Sequence, residues 1–157
     1  VWSPHPYLIP FVQSGKASLT SSELNSWREE WDALPNTATW LSEDYPSLLA
    51  ASDAVLTDGI SMLNEAQVVS RPIVFIERAD HVPFNSEGDV IVRGVHHVTT
   101  LAQARTRLEQ LLRDGDPLKA TQAEVVAELF GTPGAAVRVL EEIRAQATAE
   151  GWQGAAS

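Results

Sequence analysis

Thr57-Asp58-Gly59-Ile60-Ser61 stands where the apolar run Asp53-Ala54-Val55-Leu56-Thr57 gives way to a segment of helical periodicity. In open parallel sheets, ligands collect at the carboxyl ends of strands. A helix N-terminus at that place offers unpaired N–H groups and roughly half a unit of positive charge. Phosphate suits such a turn. Gly59 admits an anion close to the backbone, and the hydroxyls of Thr57 and Ser61 are further donors. Asp58 has the wrong charge for phosphate, so it reads as a helix N-cap as readily as a partner of a sugar hydroxyl. Glu65 follows Ser61 by four residues, about one turn deeper on the same helix face. A carboxylate there can accept from ribose hydroxyls or stand solvated.

His5 lies between Pro4 and Pro6, directly after the extended Val1-Trp2. Flanking prolines restrict the backbone, and an imidazole held at a strand end can act as a general base or contact a phosphate; it can equally be a turn histidine without that duty. The turn-histidine reading extends to His81, His96 and His97, and none of the four histidines has metal-ligand spacing to another, so no metal site is expected. Walker, G-x-G-x-x-G and G-x-S-x-G motifs are absent, which argues against P-loop hydrolases, the usual dinucleotide oxidoreductases and serine hydrolases.

The elements that must hold these groups follow from periodicity. Asp53–Thr57 and Ile73–Ile76 are short apolar runs without alternation, as in buried parallel strands, and Ile60–Val69 between them has helical spacing through Met62, Leu63, Ala66 and Val69. This is a βαβ unit, with Pro72 at the first position of its second strand. Upstream, Tyr7–Val12 predicts one or two helical turns, the Thr20/Glu23 capping pair opens a helix over about 21–33, Thr37–Leu41 reads as a short β stretch, and Ser42–Ala51 as a helix. Trp27, Trp31 and Trp40 read as packing residues. Downstream come a polar loop over 77–88, strands at Val90-Ile91-Val92 and His97-Val98, and helices capped by Thr100/Gln103, by Thr121/Glu124 and by Thr132-Pro133.

The 157 residues suit one domain, read here as a single nucleotide-diphosphate-binding domain over 1–150 with a frayed tail over 151–157. Hydrophobic residues make up 44% and charged residues 20%, the balance of a folded α/β domain. A net charge of -10 argues against nucleic-acid partners, so an anionic ligand requires a local site. The absence of cysteine removes disulfides and thiolate chemistry, and no run approaches the roughly 18 apolar residues of a membrane span. Without an initiating Met, the chain reads as a fragment whose preceding part has been cut away.

His5-Pro6, Ala51–Asp58, Ser61, Glu65 and Arg71-Pro72-Ile73-Val74-Phe75 together resemble the C-terminal domain of GT-B transferases. The order and spacing over roughly residues 3–76 are most similar to the CDP-glycerol glycerophosphotransferase family of teichoic-acid-type polymer synthesis. The resemblance implies a Rossmann-like parallel sheet flanked by helices. A cytoplasmic location is the default expectation, and the resemblance adds contact with the inner face of the membrane, made through a missing N-terminal domain. Its substrate would be a CDP- or UDP-linked donor, with no separate cofactor, and its product a glycerophosphate or glycosyl group on an acceptor hydroxyl. It implies a catalytic or phosphate-contacting His5, diphosphate contacts from Thr57, Gly59 and Ser61, and ribose contact from Glu65, with Asp58 part of the same turn. Gly59-Ile60-Ser61 replaces the family's Tyr-Ser-Ser, removing one hydroxyl, and its Arg-Gly-Phe-Tyr segment is missing after Ile76. UDP-N-acetylglucosamine 2-epimerases are similar over the same window, and a non-catalytic domain that keeps the fold is the third reading.

Overall fold

Ile73–Ile76 has no polar side chain to present to water, and in the computed structural model, which describes residues 1–42, 44–131 and 133–151, it becomes the central strand of a parallel sheet. The described chain divides into two compact units, one ending at Ala51 and the other beginning at Ser52.

In the first unit, α1 (Leu8–Gln13), α2 (Ser21–Asp32) and α3 (Tyr45–Ala51) bury Val12, Leu24 and Leu49. The Thr20/Glu23 capping box forms as expected, with Glu23 N–H donating to Thr20 Oγ1 at 3.2 Å and Thr20 N–H donating to Glu23 Oε2 at 2.8 Å. The expected β stretch at 37–41 contracts to a single parallel bridge between Trp2 and Thr39. Trp2 N–H donates to Ala38 O and Trp40 N–H to Trp2 O, each at 2.8 Å. Beside the bridge, Trp27 stacks on Trp31 with ring centres 5.6 Å apart and meets Trp2 edge-on at 4.6 Å, while Trp27 remains 42% exposed.

The second unit contains β1 (Val55–Thr57), α4 (Ile60–Val68), β2 (Ile73–Ile76), α5 (Ser86–Ile91), a 3₁₀ turn (Val92–Gly94), β3 (His96–Val98), α6 (Leu101–Asp114), α7 (Lys119–Phe130) and α8 (Ala135–Ala149). The strands form a parallel sheet in the order β1-β2-β3. Val55–Thr57 runs in register with Ile73–Phe75, and Val74–Ile76 with His96–Val98. Side chains alternate across β2. Ile73 and Phe75 pack with Leu63 and Ala66 of α4, Ile91 and Val95, while Val74 packs on the other face with Val98 and with Ala104 and Leu111 of α6. Helices therefore cover both faces of the central strand, which removes any need for hydropathic alternation along it. β1 differs from the expectation of a strand buried on both faces: among the described residues it is paired on one side, and Leu56 remains 45% exposed.

Val90-Ile91-Val92 is not a strand. Asn85 Oδ1 accepts from Gly88 N–H at 2.8 Å and starts a helix upstream of the run, so Val90 and Ile91 become its last turn. Nor do Thr121 and Glu124 cap α7, whose cap position is Leu118, three residues earlier. Asp116 stabilises this start instead, its Oδ1 accepting from Leu118 N–H at 2.9 Å while contacting buried His96 Nε2 at 2.8 Å. α8 begins after Gly134, in the left-handed region at φ 96°, rather than at Thr132-Pro133, and Thr132 lies outside the described residues, as does the expected tail from 152 onward. The expected apolar stripe of α8, Val137, Leu140 and Ile143, is more than half exposed.

Two buried glutamines hold the crossover into β3. Gln67 Nε2, from α4, donates to Leu63 O and Ile91 O at 3.1 Å; Gln122 Nε2, from α7, donates to Arg71 O and Gly94 O at the same distance. Gly94 fits between these amides because it has no Cβ: an added one would fall on Gln67 Oε1 and come within 3.2 Å of Gln122 Cγ. Both side chains are committed to buried carbonyls and cannot yield cheaply. Gly94→Ala is expected to destabilise the protein by about 1–3 kcal/mol, read from the urea midpoint. In the first unit, the Thr20 hydroxyl and then its N–H hold the Glu23 carboxyl below its ordinary pKa. A depressed carboxyl contributes stability above its unfolded pKa and loses it as pH falls through the folded one. Glu23→Gln should therefore flatten the acid limb of a thermal-melt series below about pH 5.

Candidate functional site at the carboxyl edge of the sheet

The predicted turn forms between β1 and α4, at the carboxyl end of β1. Gly59 occupies the N-cap position of α4 and makes no side-chain cap bond. The turn is closed instead by Thr57, whose Oγ1 accepts from Gly59 N–H at 2.9 Å. This hydroxyl, expected to meet a ligand, is therefore at least partly spent on the loop, and the Gly59 N–H is not free for an anion. Gly59 has φ −95°, open to any residue, and an added Cβ would meet Thr57 Oγ1 at an ordinary 3.5 Å. Neither conformation nor packing requires glycine at this position.

Asp58, read from sequence as a possible helix cap, stands one residue before the cap position. Its Oδ2 lies 3.8 Å from Arg78 Nη1, in a pair with both side chains more than 60% exposed. Ser61 is exposed in the first turn of α4 and Glu65 is half-buried one turn further. Thr57, Asp58, Gly59, Ser61 and Glu65 therefore belong to one turn and the helix it opens, as expected. His5 belongs to the other unit. It is exposed, its Nδ1 accepts from Tyr7 N–H at 3.1 Å, and its ring stacks on Tyr7 at 5.8 Å.

Residues passed over in the sequence complete the edge. Glu77 and Arg78 follow β2, and Glu77 N–H donates to Val98 O at 2.9 Å, extending the ladder beyond the strand. Glu77 Oε2 lies 3.4 Å from Nδ1 of His97 on β3, and its Oε1 lies 3.7 Å from Nδ1 of His81. The first two residues after a buried parallel strand are where this signal was readable. Among the described residues, no cluster of three potential metal ligands occurs, and no helix is long and apolar enough to cross a membrane.

Family models, curated proteins and solved structures yield no match to this chain. Thr57→Val keeps the shape of the side chain but leaves the half-buried Gly59 N–H without its acceptor. It is expected to destabilise the protein by about 1 kcal/mol, measured by chemical denaturation.

Proposed function

We propose that this chain is the donor-binding part of a nucleotide-diphosphate-dependent transferase, the C-terminal half of a GT-B arrangement. It would move a glycerophosphate or glycosyl group from a CDP- or UDP-linked donor to an acceptor hydroxyl presented by a further, N-terminal domain. The observation that carries this reading is the start of α4. A helix without a side-chain cap begins at the carboxyl end of a parallel strand, with the exposed Ser61 hydroxyl in its first turn and Glu65 one turn behind.

The leaving diphosphate would take its hydrogen bonds from the N–H groups of the first turn beyond Gly59 and from Ser61, and Glu65 would accept from ribose hydroxyls. Asp58 is opposed by the Arg78 guanidinium, which reduces its repulsion of a bound phosphate. The family resemblance also implies a catalytic or phosphate-contacting role for His5, which belongs to the other unit; the site proposed here uses residues of the second unit alone. At a net charge of -10, the binding is local rather than the work of a broad positive field. Ile60, 42% exposed where the family has a hydroxyl, favours a second reading in which the fold is kept for a non-catalytic interaction.

Calorimetric titration with CDP, UDP and GDP, without added metal, tests the proposal. Saturable binding of CDP or UDP is expected, and Ser61→Ala and Glu65→Ala should each weaken it about fivefold, the worth of about one hydrogen bond. Because the fold does not require glycine at position 59, Gly59→Ala should leave the urea midpoint nearly unchanged and still weaken nucleotide binding by crowding the helix start. No isotherm at millimolar nucleotide would leave the non-catalytic reading in its place.

A further inference from the structure

Glu77 leaves the sheet with its backbone fixed in the ladder, and its carboxylate is divided between two imidazoles of different surroundings. His81 is 12% exposed, pressed against Phe84 at 4.5 Å and edge-on to Phe75 at 5.9 Å, and neither of its ring nitrogens is hydrogen-bonded. It forms a wall beside Glu77. His97 is 38% exposed, its ring fixed edge-on to Phe75 at 5.5 Å and by the Glu77 carboxylate at Nδ1. A carboxylate at Nδ1 favours the tautomer with hydrogen there, leaving the lone pair on Nε2. This is the orientation of a general base.

Strand order fixes where that base stands. β3 lies two strand intervals from β1, so His97 and the turn at Thr57–Gly59 are separated along the carboxyl edge by about 10 Å. A donor whose leaving phosphate sits at the start of α4 can extend across the end of β2 toward β3.

We propose that His97, positioned by Glu77, is the general base toward a hydroxyl that attacks a phosphate-linked donor laid along this edge; the assignment rests on the donor-site reading above. The hydroxyl proton passes to His97 Nε2, and the oxygen's electron pair forms the new bond to phosphorus or carbon of the donor. The bond to the leaving phosphate breaks, its electron pair going to the phosphate oxygen at α4, and the imidazolium formed is paired with the Glu77 carboxylate. His97 is the catalytic residue of this step, and Glu77 is a positioning residue.

Diethyl pyrocarbonate, which acylates an available imidazole nitrogen, tests the pair without requiring turnover. Peptide mass spectrometry resolves the chain's four histidines, His5, His81, His96 and His97, so exposed His5 is a reference and the largely covered His81 and buried His96 are controls. His97 is expected to acylate faster than His5. Glu77→Gln, which keeps an acceptor but removes the charge, should slow His97 about threefold and leave His5 unchanged. CDP or UDP should protect His97 in the wild-type chain. Equal His97 rates in the two proteins overturn the pairing. A normal calorimetric isotherm without protection of His97 overturns its place at the ligand. A chain that binds none of the nucleotides fails the donor-site reading instead, and the ratio between wild type and Glu77→Gln still decides whether Glu77 activates His97.

Discussion

The second unit depends on a close approach at Gly94. The carbonyl of Gly94 would be a buried, unpaired acceptor where the chain turns into β3, and Gln122 from α7 supplies the missing donor. The same amide reaches Arg71 O, just before β2, so one side chain joins the entrances of two neighbouring strands. Gln67 does the corresponding work from α4, tying its own helix to the end of α5 through Ile91 O. Replacing a backbone–backbone ladder by two amides is tolerable because each Nε2 carries two hydrogens and each finds two carbonyls.

This junction fixes the register of β3 against β2, and the register fixes the chemistry at the opposite end of the strands. Val74 pairs with His96, so Phe75 pairs with His97 and the alternation of side chains follows. His96 turns inward to Asp116 at the loop before α7, and His97 faces outward beside Glu77. A one-residue slip would exchange the two: the side chain now paired with a buried carboxylate would be in solvent, and the other would be buried without that partner. Adjacent histidines thus acquire opposite duties, one structural and one available for chemistry.

The edge itself is assembled from side chains that would be unremarkable apart. Thr57 closes a turn, Arg78 balances Asp58, and Glu77 orients an imidazole. Thr57 and Asp58 stand at the end of β1, Glu77 and Arg78 at the end of β2 and His97 in β3, and the parallel sheet brings those strand ends to one side.

The sequence by itself determined the βαβ core, since Ile73–Ile76 has no polar face and Ile60–Val69 has helical spacing. It determined the turn at Thr57–Ser61, since a Gly at a strand-to-helix junction is a local signal. It also determined the caps at Thr20 and Thr100, whose partners lie three residues away. Tertiary structure decided what depends on distant partners. Val90–Val92 has the composition of a strand, but a cap at Asn85 and packing against the central sheet made its first two residues the end of a helix. The start of α7 followed Asp116 rather than Thr121 because a carboxylate already held by His96 was in reach. Glu77 and His97, twenty residues apart, meet because parallel pairing aligns the strands that precede and contain them. Short-range hydrogen bonds and periodicity are encoded by neighbours along the chain, whereas pairings across strands exist once the register is set.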